Sequence, residues 1–129
     1  MKEFNQINLT PIIENTPNPR IGVVALSTDF TIEQDFRNIF YQQPVNLYVN
    51  RIPFDNPMNE KNYLKMKNLL PSIASNLLPG ESIDTIAYGC TSGTIAIGEK
   101  EVEKQISAVK GNCYVTTPIT AALKAFKKL

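Results

Sequence analysis

Cys90, Thr91, Ser92 and Gly93 stand together in the run YGCTSGTIAIG, residues 88–98, where an apolar stretch gives way to a thiol, two hydroxyls and a glycine. A thiolate is a nucleophile and a base. Backbone N–H groups at a strand-to-helix turn point outward, and the helix dipole there favours negative charge. Such a turn would hold a carboxylate or phosphate, with Thr91 and Ser92 as further donors, and its field would favour the thiolate form of Cys90. A plainer reading is also open: Cys90 is a small apolar residue, and Gly89 and Gly93 permit close packing.

The chain has no histidine. That excludes Ser-His-Asp and Cys-His catalysis and every histidine-containing metal site. Proton carriers must be Cys, Asp, Glu, Lys or Tyr. A cysteine-phosphatase loop would need Arg where Ala96 stands, and no Gly-Lys-Ser/Thr signature of a P-loop occurs. A receiver domain would need an acid where Gly89 and Cys90 stand, and the segment STDFT (27–31) lacks the glycine of a flavodoxin-type phosphate loop. Asp29 is either an acid/base group or a first-turn acid complementing a helix dipole. Cys113, Tyr48 and Tyr63 read as packing residues, and Glu99, Glu101 and Glu103 with Lys100 and Lys104 as a solvated helix face.

The elements that must position these residues follow from periodicity. RIGVVALS (20–27) is a continuous apolar run, as in a strand buried on both faces. TIEQDFRNIFYQ puts Ile32, Phe36, Ile39 and Phe40 on one helical face, with Thr31 and Gln34 as a capping box. The remaining strands are expected at 45–51, 83–88 and 112–116, the first at 21–27. A helix carries Tyr63, Met66, Leu70, Ile73 and Leu77, and Pro71 should break or kink it. Another carries Val102, Ile106 and Val109 and closes at Gly111. A last helix opens at Pro118 and carries Ile119, Leu123 and Phe126. Four strand–helix alternations predict an α/β fold: a flavodoxin-like four-stranded parallel sheet in order 2-1-3-4, with helices on both faces. Ligands of such sheets bind beyond the C-terminal strand ends. There lie Ser27-Thr28-Asp29, Arg51 to Asp55, Gly89 to Thr94, and Thr116-Thr117.

Residues 1–19 read as an N-terminal arm and 20–129 as a single α/β domain. The net charge is +1, and no basic stripe interleaves with aromatics, so no nucleic-acid partner is expected. The apolar runs fall far below the ~20 residues of a membrane span, and MKEFNQINLT lacks a signal-peptide core. The expectation is a cytoplasmic protein with no membrane association.

IGVVALSTDFTIEQDFR, DTIAYGCTSGTIAIGE and TTPITAALKAF together resemble the N-terminal half of the maleate cis-trans isomerase and arylmalonate decarboxylase group of the Asp/Glu racemase superfamily. AYGCTSG is the most specific element. The resemblance implies one half of a two-domain fold whose cleft holds a cysteine from each domain, working without cofactor or metal. One thiolate attacks carbon or takes a proton, and the other thiol faces it across the substrate. Cys90 matches the first catalytic cysteine, and Thr91 and Ser92, with Gly93, match the turn that binds a substrate carboxylate. Thr28, Asp29 and Thr117 are further possible site residues at neighbouring strand ends. The decarboxylase has glycine at the first position, so Cys90 points to the isomerase or racemase type. One departure is STD after the first strand, where the isomerase has asparagine. The other is the end at Leu129, where the family continues into a second domain with the other cysteine. The expectation is a cofactor-independent isomerase or racemase half acting on a small dicarboxylate or related acid, incomplete by itself. Its partners would be a small carboxylate and either further copies of itself or a separate second-half chain. The alternative is a non-catalytic carboxylate-binding or assembly domain that retains the fold.

Overall fold

The structure is a computed structural model describing residues 18–129. All but the last two residues of the expected arm lie outside the described residues. Nine elements follow in order: β1 (Arg20–Leu26), α1 (Ile32–Ile39), β2 (Asn46–Ile52), α2 (Glu60–Ser75), β3 (Thr85–Tyr88), α3 (Thr91–Ile97), α4 (Glu99–Lys110), β4 (Tyr114–Thr116) and α5 (Pro118–Phe126). The four strands form one parallel sheet in the expected order β2-β1-β3-β4. Val24 of β1 pairs with Tyr88, and Ala87 pairs with Thr116, so the chain leaves β1, β3 and β4 at one edge of the sheet.

Side chains alternate across a strand, and β3 shows it. Ile86 and Tyr88 point into the main core with Met66, Leu70 and Ala74 of α2 and Val102 and Ile106 of α4. Burying each large apolar side chain there contributes about 1.5–3 kcal/mol. Ala87 and Gly89 face the other way, toward Ile32 and Phe36 of α1 and Pro118 and Ala121 of α5. Neither α1 nor α5 has a fully buried residue. Ile39, Leu123 and Phe126, expected on inward faces, stand exposed, Phe126 at 71%. No helix among the described residues is long and apolar enough to cross a membrane.

Three local expectations are corrected. First, Pro71 does not break α2, which runs through it to Ser75. An interior proline costs about 3 kcal/mol, and the core packing of Leu70 and Ala74 on either side outweighs it. Second, α1 is not opened by a Thr31–Gln34 capping box, since the Thr31 side chain makes no cap bond. Asp29 caps it instead, its Oδ1 accepting from the Thr31 and Ile32 amides at 3.0 Å each. Third, the segment after Cys90 forms two helices rather than one, parted by Gly98 at φ +93° and ψ 135°. That conformation is essentially open to glycine alone. In α4 Val102 and Ile106 are buried as expected, but Val109 is 41% exposed.

Candidate active site

Cys90 follows β3 as the residue capping α3, with extended backbone at φ −138° and ψ 109°. It keeps the parity of Ile86 and Tyr88, so its side chain turns toward the α2 and α4 core. Its exposure is only 4%. Strand alternation carried two residues past Tyr88 thus turns the thiol into the core rather than toward solvent. The Gly93 amide donates to the Cys90 sulfur at 3.2 Å, and Ser92 Oγ lies 3.7 Å from it. Thr94 closes the turn, donating to the Cys90 carbonyl from Oγ1 at 2.6 Å and from its amide at 2.9 Å.

The amides of Gly93 and Thr94 are thus spent inside the turn. Those of Thr91 and Ser92 have no acceptor among the described residues, and both side chains are exposed. They are the donors of this turn available to an incoming anion. Gly93 instead serves the sulfur and makes room: a Cβ there would stand 2.9 Å from Cys90 Sγ and clash with Tyr88 Oη.

That Tyr88 hydroxyl is wholly buried and has no hydrogen-bond partner among the described residues. Burial, and then the neighbouring Cys90, push its phenol above the ordinary tyrosine value. The sequence marks Tyr88 only by strand parity: a residue two places before the cysteine on the same strand shares its face.

The other site candidates occupy separate positions along the same edge. Thr28 is exposed after β1. Asp29 spends its carboxylate on the α1 cap, and its carbonyl accepts from Arg51 Nη1 at 2.6 Å. Arg51 also donates to the Leu26 carbonyl at 2.8 Å and pairs with Glu33. This guanidinium clamp joins the ends of β1 and β2 to α1. Thr117 is buried and caps α5, its Oγ1 accepting from the Thr120 amide at 3.1 Å, while Thr120 bonds Glu99.

A cavity of about 270 Å³ opens at this edge, lined mainly by Ile32, Phe36, Gly89, Thr117, Pro118 and Ala121. Cys90, Thr91 and Ser92 are not in its walls. The structure therefore groups Cys90 with Thr91, Ser92 and Gly93, and sets Thr117 apart on the cavity side. Cys113 precedes β4, at the opposite edge of the sheet from Cys90. It is half-buried rather than sealed in the core, and burial pushes its thiol above the ordinary value.

The fold is similar to that of the maleate cis-trans isomerase of Nocardia farcinica solved with TRIS bound, at TM-score 0.67 and 16% identity. It is equally similar to that of the maleate isomerase Iso of Pseudomonas putida S16, at TM-score 0.67 and 14% identity. Each comparison covers 84% of this chain and 48% of the isomerase, so the chain spans about half the length of the isomerases it matches. At such identities the likeness is one of fold, and it is the likeness the motifs in residues 20–129 led us to expect. Scans against protein-family models and curated proteins return no match.

Proposed function

We propose that this chain is one half of a cofactor-independent isomerase or racemase acting on a small dicarboxylate or related carboxylic acid. The observation that carries the reading is the Cys90 turn: a sulfur held by the Gly93 amide, beside the uncommitted amides and exposed hydroxyls of Thr91 and Ser92. In this reading Thr91 and Ser92 hold a substrate carboxylate. The Cys90 thiolate adds to carbon or removes a proton. Negative charge on sulfur strengthens the bond from Gly93, because a hydrogen bond to an ionised acceptor is roughly twice as strong as a neutral one. Cys113, at the other edge of the sheet, supplies no second thiol, so the complementary group comes from another chain or domain. The fold likeness to two maleate isomerases supports the substrate class.

A second reading, a carboxylate-binding or assembly domain without turnover, is favoured by the 4% exposure of Cys90. The two separate in one experiment. Maleate is added to isotopically labelled protein, and the amide resonances of Thr91 and Ser92 are followed alongside the vinyl protons of the ligand. Shifts at both amides, weakened by Thr91→Val, support a carboxylate site. Conversion of maleate that vanishes in Cys90→Ser supports catalysis, and we expect little conversion from this chain alone. Binding without conversion, even with a complementing half, favours the second reading. No shift at either amide, even with a complementing half, removes the carboxylate site from both readings and leaves assembly alone.

A further inference from the structure

We propose that Tyr88 is the positioning residue of Cys90, its buried phenol O–H being held as a hydrogen-bond donor for the thiolate form of the sulfur. The inference deepens the catalytic reading of Cys90 and rests on it for its purpose, but the thiol–phenol pair stands on its own geometry.

Tyr88 lies on β3 two residues before Cys90, so both side chains turn to the same side of the sheet. Its ring is fully buried in the main core, and its hydroxyl has no partner among the described residues. Leaving a buried hydroxyl unpaired costs about 1–3 kcal/mol, whereas phenylalanine would fill the same space without that cost. A polar atom kept at such expense needs an acceptor in some state of the protein.

The sulfur is well placed for that role. A Cβ on Gly93 would meet both the Tyr88 oxygen and the Cys90 sulfur, so the two atoms flank one small space that only glycine leaves open. The neutral thiol is a weak acceptor, and the thiolate is a strong one. Ionisation of Cys90 thus creates the acceptor that the phenol lacks at rest. The Gly93 amide already approaches the sulfur at 3.2 Å, so the thiolate would take two donors, one from backbone and one from Tyr88. Burial raises the phenol above its ordinary value, so the proton stays on oxygen and Tyr88 donates a hydrogen bond without acting as a base. No bond is broken in this step. The proton lost by Cys90 leaves by way of solvent or substrate.

The test needs no substrate, so it is separate from the isomerase reading. In a Cys113→Ser background, Cys90 alkylation by iodoacetamide is measured from pH 5 to 10 with Tyr88 and with Tyr88→Phe. The pair predicts a midpoint about one pH unit higher in the phenylalanine variant, and roughly tenfold slower alkylation at neutral pH. It also predicts that Tyr88→Phe lowers stability only at pH values where Cys90 is ionised. An unchanged profile in a folded variant would overturn the pair, as would a variant more stable at every pH. Should Tyr88→Phe fail to fold, the Tyr88 ring-carbon resonance is followed through the same pH range with Cys90 and with Cys90→Ser. A shift that depends on Cys90 supports the pair, and one that does not depend on it overturns the pair. Failure of maleate to bind or convert alongside a shifted profile would leave the pair standing and remove only the catalytic purpose.

Discussion

The Gly93 amide points at the Cys90 sulfur from 3.2 Å across the first turn of α3. The side chain of residue 90 therefore takes the place that Ser or Asp usually takes at the start of a helix. Sulfur is a weaker acceptor than oxygen, and it gains most from this position when ionised. The same space that admits the bond is lost if residue 93 carries a Cβ.

Gly93→Ala should accordingly be costly. Its Cβ would stand 2.9 Å from Cys90 Sγ and press on the Tyr88 hydroxyl, both of which are buried. Overpacking of this kind costs about 1–3 kcal/mol, readable as a lowered urea midpoint. Cys90→Ala or Tyr88→Phe in the same background should recover part of the loss, and no recovery from either would place the clash elsewhere.

The two thiols should differ in pH dependence. Burial raises the Cys113 thiol, so its reactive thiolate becomes abundant only above the ordinary cysteine range. With iodoacetamide near pH 7, peptide mass spectrometry should find Cys90 labelled first, reached past exposed Ser92, with Cys113 gaining as pH rises. Cys90→Ser should remove the fast phase, and Cys113→Ser should barely change it. Labelling led by Cys113 at neutral pH would make the Cys90 turn scaffolding.

Pro71→Ala should stabilise the protein. Proline removes an N–H from the interior of α2 and crowds the preceding turn. Alanine restores the bond at a half-buried position, for a gain of roughly 1–3 kcal/mol in chemical denaturation. A loss instead would mean that the proline ring packs against neighbours better than its backbone cost.

Association through α5 is the fourth expectation. Leu123 and Phe126 are 50% and 71% exposed on one helix, and Ile95 of α3 is 70% exposed. Large apolar side chains left bare one turn apart on a helix, as Leu123 and Phe126 are, mark an interaction face. Light scattering should show a dimer or larger species at high micromolar concentration, and Leu123→Glu with Phe126→Glu should shift it toward monomer. A clean monomer of the unaltered chain would refute this.

Much of the fold was legible in the chain because its signals were local. RIGVVAL and TIAY are β-branched or apolar runs, and strand–helix alternation leaves few topologies once crossovers must be right-handed. The Cys90 turn was legible as a turn for the same reason. What was not legible depends on tertiary context. Pro71 remains helical because Leu70 and Ala74 hold α2 to the core from both sides. The burial of Cys90 required counting strand parity onward from Ile86 and Tyr88 into what reads as a loop. Asp29 had two readings in the chain, and only the positions of the Thr31 and Ile32 amides reveal its capping role.

The Arg51 clamp gives the cavity at the strand ends walls of two kinds. β3 is a wall built into the apolar core, whereas α1 buries no residue fully and is joined at its start by the Asp29 cap and the Arg51–Glu33 pair. Salt weakens partly exposed ion pairs and leaves apolar packing intact or strengthened. Ionic strength therefore acts on one wall and spares the other. An uncharged guest in that cavity would feel added salt through the helix that covers it rather than through any charge of its own.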